Sequence, residues 1–186
     1  MIVLAGASAS GKTEVAKELA KKYGITKVIT TTTRKMRANE VNGRDYFFVS
    51  KEQFENMLHD GKFVEHTIFN ENFYGSTKDQ ISPHKCVVID PAGLRAYIAL
   101  GDSSIITFYL DSTEETRFKR MLARGDNKED AKKRITHDRQ AFRPENVSDV
   151  DFHIDSETKS IEEVCDDIYR IRNLSDSITR KNSSDI

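Results

Sequence analysis

Ile2-Val3-Leu4-Ala5-Gly6-Ala7-Ser8-Ala9-Ser10-Gly11-Lys12-Thr13-Glu14-Val15-Ala16-Lys17-Glu18-Leu19-Ala20 decides the fold. Ile2–Ala5 reads as a short buried strand. Gly6 to Thr13 fits the pattern G-x-x-x-x-G-K-[ST]. Thr13 to Ala20 reads as a helix. A match to the pattern alone arises by chance in Gly/Ser turns with a solvated lysine. Strand and helix in register on either side make it specific. The glycines let backbone N–H groups converge on phosphate oxygens, Lys12 adds a positive charge, and the helix N-terminus adds its dipole. The Thr13 hydroxyl is placed to ligate Mg²⁺. Ala7, Ser8, Ala9, Ser10, Gly11, Lys12 and Thr13 are therefore the expected nucleotide-phosphate binders.

The chain has 186 residues, enough for one α/β domain and a small inserted subdomain. Its formal net charge of −1 supplies no global basic field, so neither nucleic acid nor an anionic membrane surface is an expected partner. Charged residues make up 32% of the chain but are mixed in sign. Cys86 and Cys165 lie far apart and lack CxxC spacing. They read as buried thiols in a reducing cytoplasm rather than as a disulfide or metal site. No apolar run approaches the roughly 18 residues of a membrane span. Residues 1–5 lead directly into the loop, so no signal peptide is expected.

Strand and helix signals alternate along most of the chain, which predicts a parallel sheet flanked by helices. Val28-Ile29-Thr30 and Tyr46-Phe47-Phe48-Val49 are strand candidates. Ser50-Lys51-Glu52-Gln53 is a capping start for a helix carrying Phe54, Met57 and Leu58, and Gly61 stops it. Phe63 to Phe69 alternates as a half-exposed strand. Cys86 to Ile89 and Ile105 to Leu110 read as central strands. Pro91 opens a helix through Leu100. Helices are expected over 113–123 and 128–142, and a last strand at 152–154. Ile161, Val164, Cys165, Ile168 and Ile171 form a helical stripe against the sheet. Residues 34–83 break the alternation and predict a mostly antiparallel insertion. The expected organisation is an α/β core, 1–33 and 84–174, of the P-loop NTPase type, with that insertion and a polar, disordered tail at 175–186.

Within the insertion, Thr30-Thr31-Thr32-Thr33-Arg34-Lys35-Met36-Arg37 places two arginines where they can converge on one anion. Asn42-Gly43-Arg44-Asp45-Tyr46-Phe47-Phe48-Val49-Ser50, Gly61-Lys62-Phe63-Val64-Glu65 and Asn72-Phe73-Tyr74-Gly75-Ser76 follow. In this order and spacing the segments resemble those of the guanylate kinase family, S-T-T-R-x-x-R, G-x-D-Y-x-F-V-S, G-x-F-x-E and Y-G-S/T, from residue 2 to about residue 172. The resemblance implies that Arg34, Arg37, Tyr46 and Tyr74 hold the phosphate of GMP (or dGMP), and that Thr30, Glu65 and Ser76, with Gly75 between them, read the guanine. Guanine presents N1–H and its 2-amino group side by side, which one carboxylate accepts together. Adenine presents an unprotonated N1 there, which Glu65 would repel. Such polar readout discriminates by about 10⁴-fold or more.

The resemblance also implies a lid at 124–143. Arg120-Met121-Leu122-Ala123-Arg124-Gly125 and Lys133-Arg134-Ile135 match the family's R-x-x-x-R-G and K-R-L. Arg120, Arg124 and Arg134 would close on the phosphates of ATP, and Lys12, Arg34, Arg124 and Arg134 would carry catalysis. Arg117 reads instead as part of a solvated helix face. Asp90 is expected to hold Mg²⁺ through water or to orient the acceptor arginines, the alternative being a helix cap before Pro91. Several positions depart from the family pattern: Met36 for proline, Asn39 for glycine, Thr30 for serine, His66 for tryptophan, a shortened Asp90-Pro91-Ala92-Gly93 and a shortened lid. Two rival readings remain, a kinase for another nucleoside monophosphate or a phosphosugar, and an inert protein-binding module. Oligomeric state is not legible in the sequence.

Overall fold

A computed structural model describes the backbone of residues 1–184 and the side chains of residues 1–175. Its centre is strand β1 (Ile2–Ala5), fully buried along its length. β1 pairs in parallel with β7 (Lys85–Val88) on one side and β8 (Ile106–Asp111) on the other, Leu4 facing Val88 and Phe108. β2 (Thr26–Lys27) and β9 (Phe152–Asp155) complete a parallel sheet in the order β2-β7-β1-β8-β9.

A strand covered on both faces must be apolar at every position, and β1 divides its residues by parity. Ile2 and Leu4 pack with Val15 and Leu19 of helix α1 (Lys12–Tyr23) and with Val164, Cys165 and Ile168 of α7 (Ile161–Ser184). Val3 and Ala5 pack on the other face with Leu94 and Tyr97 of α3 (Pro91–Ile98) and with Val147 of α6 (Pro144–Val147). The remaining helices are α2 (Lys51–His59), α4 (Glu114–Ala123) and α5 (Lys128–Ala141). α2 begins with the expected capping box, the Ser50 hydroxyl accepting from Gln53 N–H and the Gln53 side chain accepting from Ser50 N–H.

A second sheet has the order β4-β3-β6-β5, formed by β3 (Thr31–Thr32), β4 (Phe47–Phe48), β5 (Phe63–Phe69) and β6 (Asn72–Thr77). β6 is antiparallel to both of its neighbours, while β3 and β4 run parallel. This sheet begins at Thr31, ahead of the boundary expected at residue 34. Val28-Ile29-Thr30 is also not a strand. Val28 N–H still donates to Cys86 O on the edge of the first sheet at 2.8 Å. The N–H and C=O of Ile29 are then taken by the Gln80 carboxamide, each at 2.8 Å, so the segment crosses between the sheets on side-chain hydrogen bonds.

The polar tail expected from residue 175 is helical backbone as far as Ser184, where α7 ends. A polar composition is compatible with helix as well as with coil. Residues 185–186, the end of that expected tail, lie outside the described residues. Among the described residues no helix is long and apolar enough to cross a membrane.

Cys86 and Cys165 are both free and fully buried. Burial pushes each thiol up to about 11, so the thiolate that reacts is scarce. A thiol-specific disulfide reagent at about pH 8 should label neither in the native protein and both after denaturation; rapid native labelling of either would contradict this packing.

Candidate active site

The loop leaving β1 is shaped by two glycines. Gly6 has φ of 147°, and a Cβ there would lie 2.8 Å from Ser10 Oγ and 3.0 Å from Leu110 O. Gly11, at φ 97°, caps α1. Between them Ala9 holds φ of 62°, a left-handed conformation unusual for alanine. Its side chain packs against Met121, Ala131 and Ile135 of α4 and α5. The Lys12 ammonium donates to Gly6 O at 2.5 Å, Ala7 O at 2.8 Å and Ser10 Oγ at 3.4 Å. Burial pushes Lys12 down to about 8, with Asp138 opposing that fall and Arg117 adding to it. It therefore stays mostly protonated at neutral pH.

Two cavities border this loop, and a third adjoins one of them. The first, 520 Å³, is lined by Thr30, Glu65, Tyr74, Gly75, Ser76 and Asp90 among others. The second, 570 Å³, is lined by Gly6, Ser8, Lys12, Asp90, His137 and Asp138 among others. The third, 570 Å³, includes Ala9, Gly11, Lys12, Thr13, Arg120 and Arg124. Asp90 borders the first and second, and Lys12 borders the second and third. Together they trace one trough across the carboxyl ends of the central strands, the general ligand position in open α/β sheets.

In the first cavity, Glu65 on β5 faces Ser76 on β6 across the hairpin. Ser76 is buried and Glu65 half-buried. Behind them lies the fully buried Tyr97, and burial pushes its phenol up to about 12, with the nearby Ser76 hydroxyl opposing that rise and Glu65 adding to it. Tyr46 meets Tyr74 edge-on, with ring centroids 6.2 Å apart. The Arg34 guanidinium lies over Tyr46 at 5.3 Å and over Phe48 at 5.6 Å, and pairs with Glu40 at 2.6 Å. The Arg34 guanidinium and the Arg37 N–H hold Glu40 below the usual carboxylate range. Arg34 and Tyr46 thus adjoin the cavity through Tyr74, whereas the Arg37 side chain is exposed. Glu40, absent from the expected residues, fixes the arginine loop.

On the lid side, Arg120 donates to Ser156 O at 2.6 Å and to Ala9 O at 3.4 Å. Arg124 pairs with Asp126 at 2.6 Å. Arg134 lies 3.8 Å from the same carboxylate, is exposed, and lines none of the three cavities. Asp90 caps α3, accepting from Gly93 N–H at 2.8 Å, so the helix-cap reading holds while the residue still borders two cavities. Thr13 is exposed at the start of α1. Among the described residues no group of three or more His, Cys, Asp or Glu side chains is gathered around a metal position.

Arg117 is not on a solvated face. It is buried and pairs at 3.0 Å with Asp138, equally buried on α5. Asp138 accepts from Ser8 N–H at 2.7 Å and from the Ser8 hydroxyl at 3.2 Å. Sequence reasoning misses this carboxylate, although a signal exists. Asp138 follows Ala131 and Ile135 at helical spacing, and Arg117 precedes Met121 by one turn, so both belong to buried stripes.

The family model described as guanylate kinase matches residues 1–173. A guanylate kinase of Clostridioides difficile (strain 630) is 33% identical over 132 residues, which are 67% of this chain and 64% of that protein. One from Anaplasma phagocytophilum (strain HZ) is 30% identical over 181 residues, 92% of this chain and 84% of that protein. The crystal structure of guanylate kinase from Anaplasma phagocytophilum superposes with a TM-score of 0.61 at 24% identity, covering 94% of this chain and 84% of that one, a likeness of fold. The chain belongs to the guanylate kinase family.

Gly75 sits on β6 close against Phe63 and Glu65 of β5. A Cβ there would lie 2.7 Å from a Phe63 ring carbon and 2.9 Å from Glu65 O. Phe63 is stacked on Phe54 at 4.4 Å and has little room to retreat. Gly75→Ala should destabilise the protein by about 1–3 kcal/mol in a urea melt; an unchanged midpoint would contradict the packing described.

Proposed function

We propose that this member of the guanylate kinase family transfers the γ-phosphoryl group of ATP to GMP, giving ADP and GDP, with Mg²⁺. The observation that carries the proposal is the trough itself. A phosphate-binding loop lies toward one end, a carboxylate opposite a hydroxyl lies at the other, and Asp90 stands between them.

Transfer needs no general base, because the attacking atom is a phosphate oxygen already largely ionised. The work of the residues is positioning and charge neutralisation. Glu65 accepts the two adjacent donors of guanine, and Ser76 and Thr30 offer hydroxyls to its O6. Arg34 presents a planar guanidinium already oriented by two aromatic rings and Glu40, which reduces the entropy lost on gripping a phosphate. Tyr46 and Tyr74 add phenolic donors, and Arg37 reaches the same phosphate from its exposed position.

At the donor end, Lys12 exchanges its bonds to loop carbonyls for bonds to phosphate oxygens. Arg120 and Arg124 flank the third cavity beside it, and Arg134 joins them when the lid closes. Mg²⁺ takes few protein ligands and prefers phosphate oxygens and water. The Thr13 hydroxyl would hold it, with Asp90 acting through water, and the ion would neutralise charge on the phosphates. Closure of both flanks over the substrates excludes water and suppresses hydrolysis of ATP. A cytoplasmic location belongs to the same proposal and is supported by the two free thiols.

The test is ADP production with ATP and Mg²⁺, comparing GMP, dGMP, AMP, CMP and UMP. GMP should be the preferred acceptor. Lys12→Ala should abolish turnover, and Glu65→Gln should lower kcat/KM for GMP by about 100-fold, since it loses a charged acceptor facing two donors. Equal use of AMP and GMP, or no turnover by a folded sample, would reject the proposal.

A further inference from the structure

The Arg117–Asp138 pair lies beside the apolar cluster of Ala9, Phe118, Met121, Ala131 and Ile135. Buried ion pairs are weak sources of stability, because desolvating two charges offsets much of their attraction, and apolar replacements of similar volume are often as stable. Here a cost remains even with the pair formed, since Arg117 Nε is buried without a partner. Stability alone therefore does not account for this pair.

Its geometry supplies another role. Asp138 Oδ2 takes both Arg117 Nη1, at 3.0 Å, and the backbone N–H of Ser8, at 2.7 Å, while Oδ1 takes the Ser8 hydroxyl at 3.2 Å. Ser8 sits in the phosphate-binding loop between Gly6 and the left-handed Ala9. Asp138 sits on α5, within the expected lid. Ser8, Lys12 and Asp138 all line the second cavity, the middle of the trough. One carboxylate thus joins lid helix to loop, and Arg117 from α4 neutralises and orients it. His137, the neighbouring titratable group, is exposed and 3.9 Å away.

We propose that Asp138, oriented by Arg117, is a positioning residue for phosphoryl transfer: it clamps α5 onto the Ser8 N–H and hydroxyl and so sets the shape of the phosphate-binding loop. The inference rests on the kinase reading above for its kinetic consequence, but not for its structural one. Asp138 has no place in the acceptor cavity, so its loss acts on turnover rather than on the affinity for GMP.

The experiment compares two double variants with wild type and with Asp138→Ala. Arg117→Met with Asp138→Leu replaces the pair by apolar side chains. Arg117→Gln with Asp138→Asn keeps an acceptor for Ser8 N–H and a hydrogen bond between the partners, without charge. Asp138→Ala should lower kcat about 10- to 100-fold with KM for GMP within about twofold, the scale expected for misplaced reacting groups. The apolar pair should recover the melting temperature but not kcat, and its Ser8 amide should exchange hydrogen faster than in wild type. The neutral pair should recover most of kcat and the protection of Ser8.

Wild-type kcat in Asp138→Ala or in the apolar pair, or a folded neutral pair without recovered kcat, would overturn the proposal and leave the cluster a structural staple. If Asp138→Ala does not fold, the two pairs decide. If wild type proves inactive on GMP, the kinase reading fails separately, and Ser8 exchange in the two pairs still tests the clamp: equal protection in the apolar pair and wild type would reject it.

Discussion

Strand β1 is paired along both edges and covered on both faces, and the position of everything in the trough is referred to it. Because Ile2, Val3, Leu4 and Ala5 are all fully buried, the chain leaves the sheet at Gly6 in a fixed direction. The loop then has to turn within a few residues to start α1, and the positive φ angles at Gly6, Ala9 and Gly11 are the cost of that turn. Such a turn points backbone donors and the Lys12 ammonium at one small volume. Of the parallel neighbours, β7 ends at Val88, level with Leu4, and β8 runs on past Ala5 to Asp111, so Asp90 follows shortly after β7 and the lid helices follow the longer β8. A rigid core thus positions groups contributed by distant parts of the chain.

Several of the charged groups in and beside the trough are held in place by other protein groups. Lys12 is shared among loop carbonyls, Arg34 is held by Glu40 and two rings, Arg124 by Asp126, and Arg117 by Asp138. A site that must bind two polyanions carries several cations, and without partners these would repel one another. The carboxylates compensate them and fix their directions. These pairs differ in depth. Arg124–Asp126 sits near solvent, where ion pairs exchange readily, Arg34–Glu40 is partly covered, and Arg117–Asp138 is buried. The first can be traded for substrate contacts; the last behaves as part of the frame.

Much of this was legible in the sequence, for physical reasons that differ by element. The loop Gly6–Thr13 was readable because its function demands particular residues at fixed spacing with a strand before and a helix after. Ser50 and Gln53, and Asp90 with Pro91, were readable because caps are local. Val28-Ile29-Thr30 misled, since β-branched residues signal a strand while the hydrogen bonds of Ile29 went to Gln80, 51 residues away. Asp138 was missed because its partner Ser8 lies 130 residues distant, and a carboxylate on a helix reads as solvent-facing unless its register with Ala131 and Ile135 is followed. Among the expected site residues, Thr30, Glu65, Tyr74, Gly75, Ser76, Asp90, Lys12, Thr13, Arg120 and Arg124 line the cavities. Arg37 and Arg134 are exposed and line none of the three cavities, because a short motif fixes spacing along the chain and not the distance of a side chain from a pocket.

One continuous trough, joining the Glu65–Ser76 end to the phosphate-binding loop, is the feature on which the rest depends. A direct test is calorimetric titration with dinucleoside pentaphosphates, in which one phosphate chain joins two nucleosides. The mixed adenosine–guanosine compound should bind with a stoichiometry of about one per chain and about 100-fold or more tighter than the diadenosine compound, and should displace both ATP and GMP. Equal affinity for the two compounds, or displacement of only one nucleotide, would contradict it.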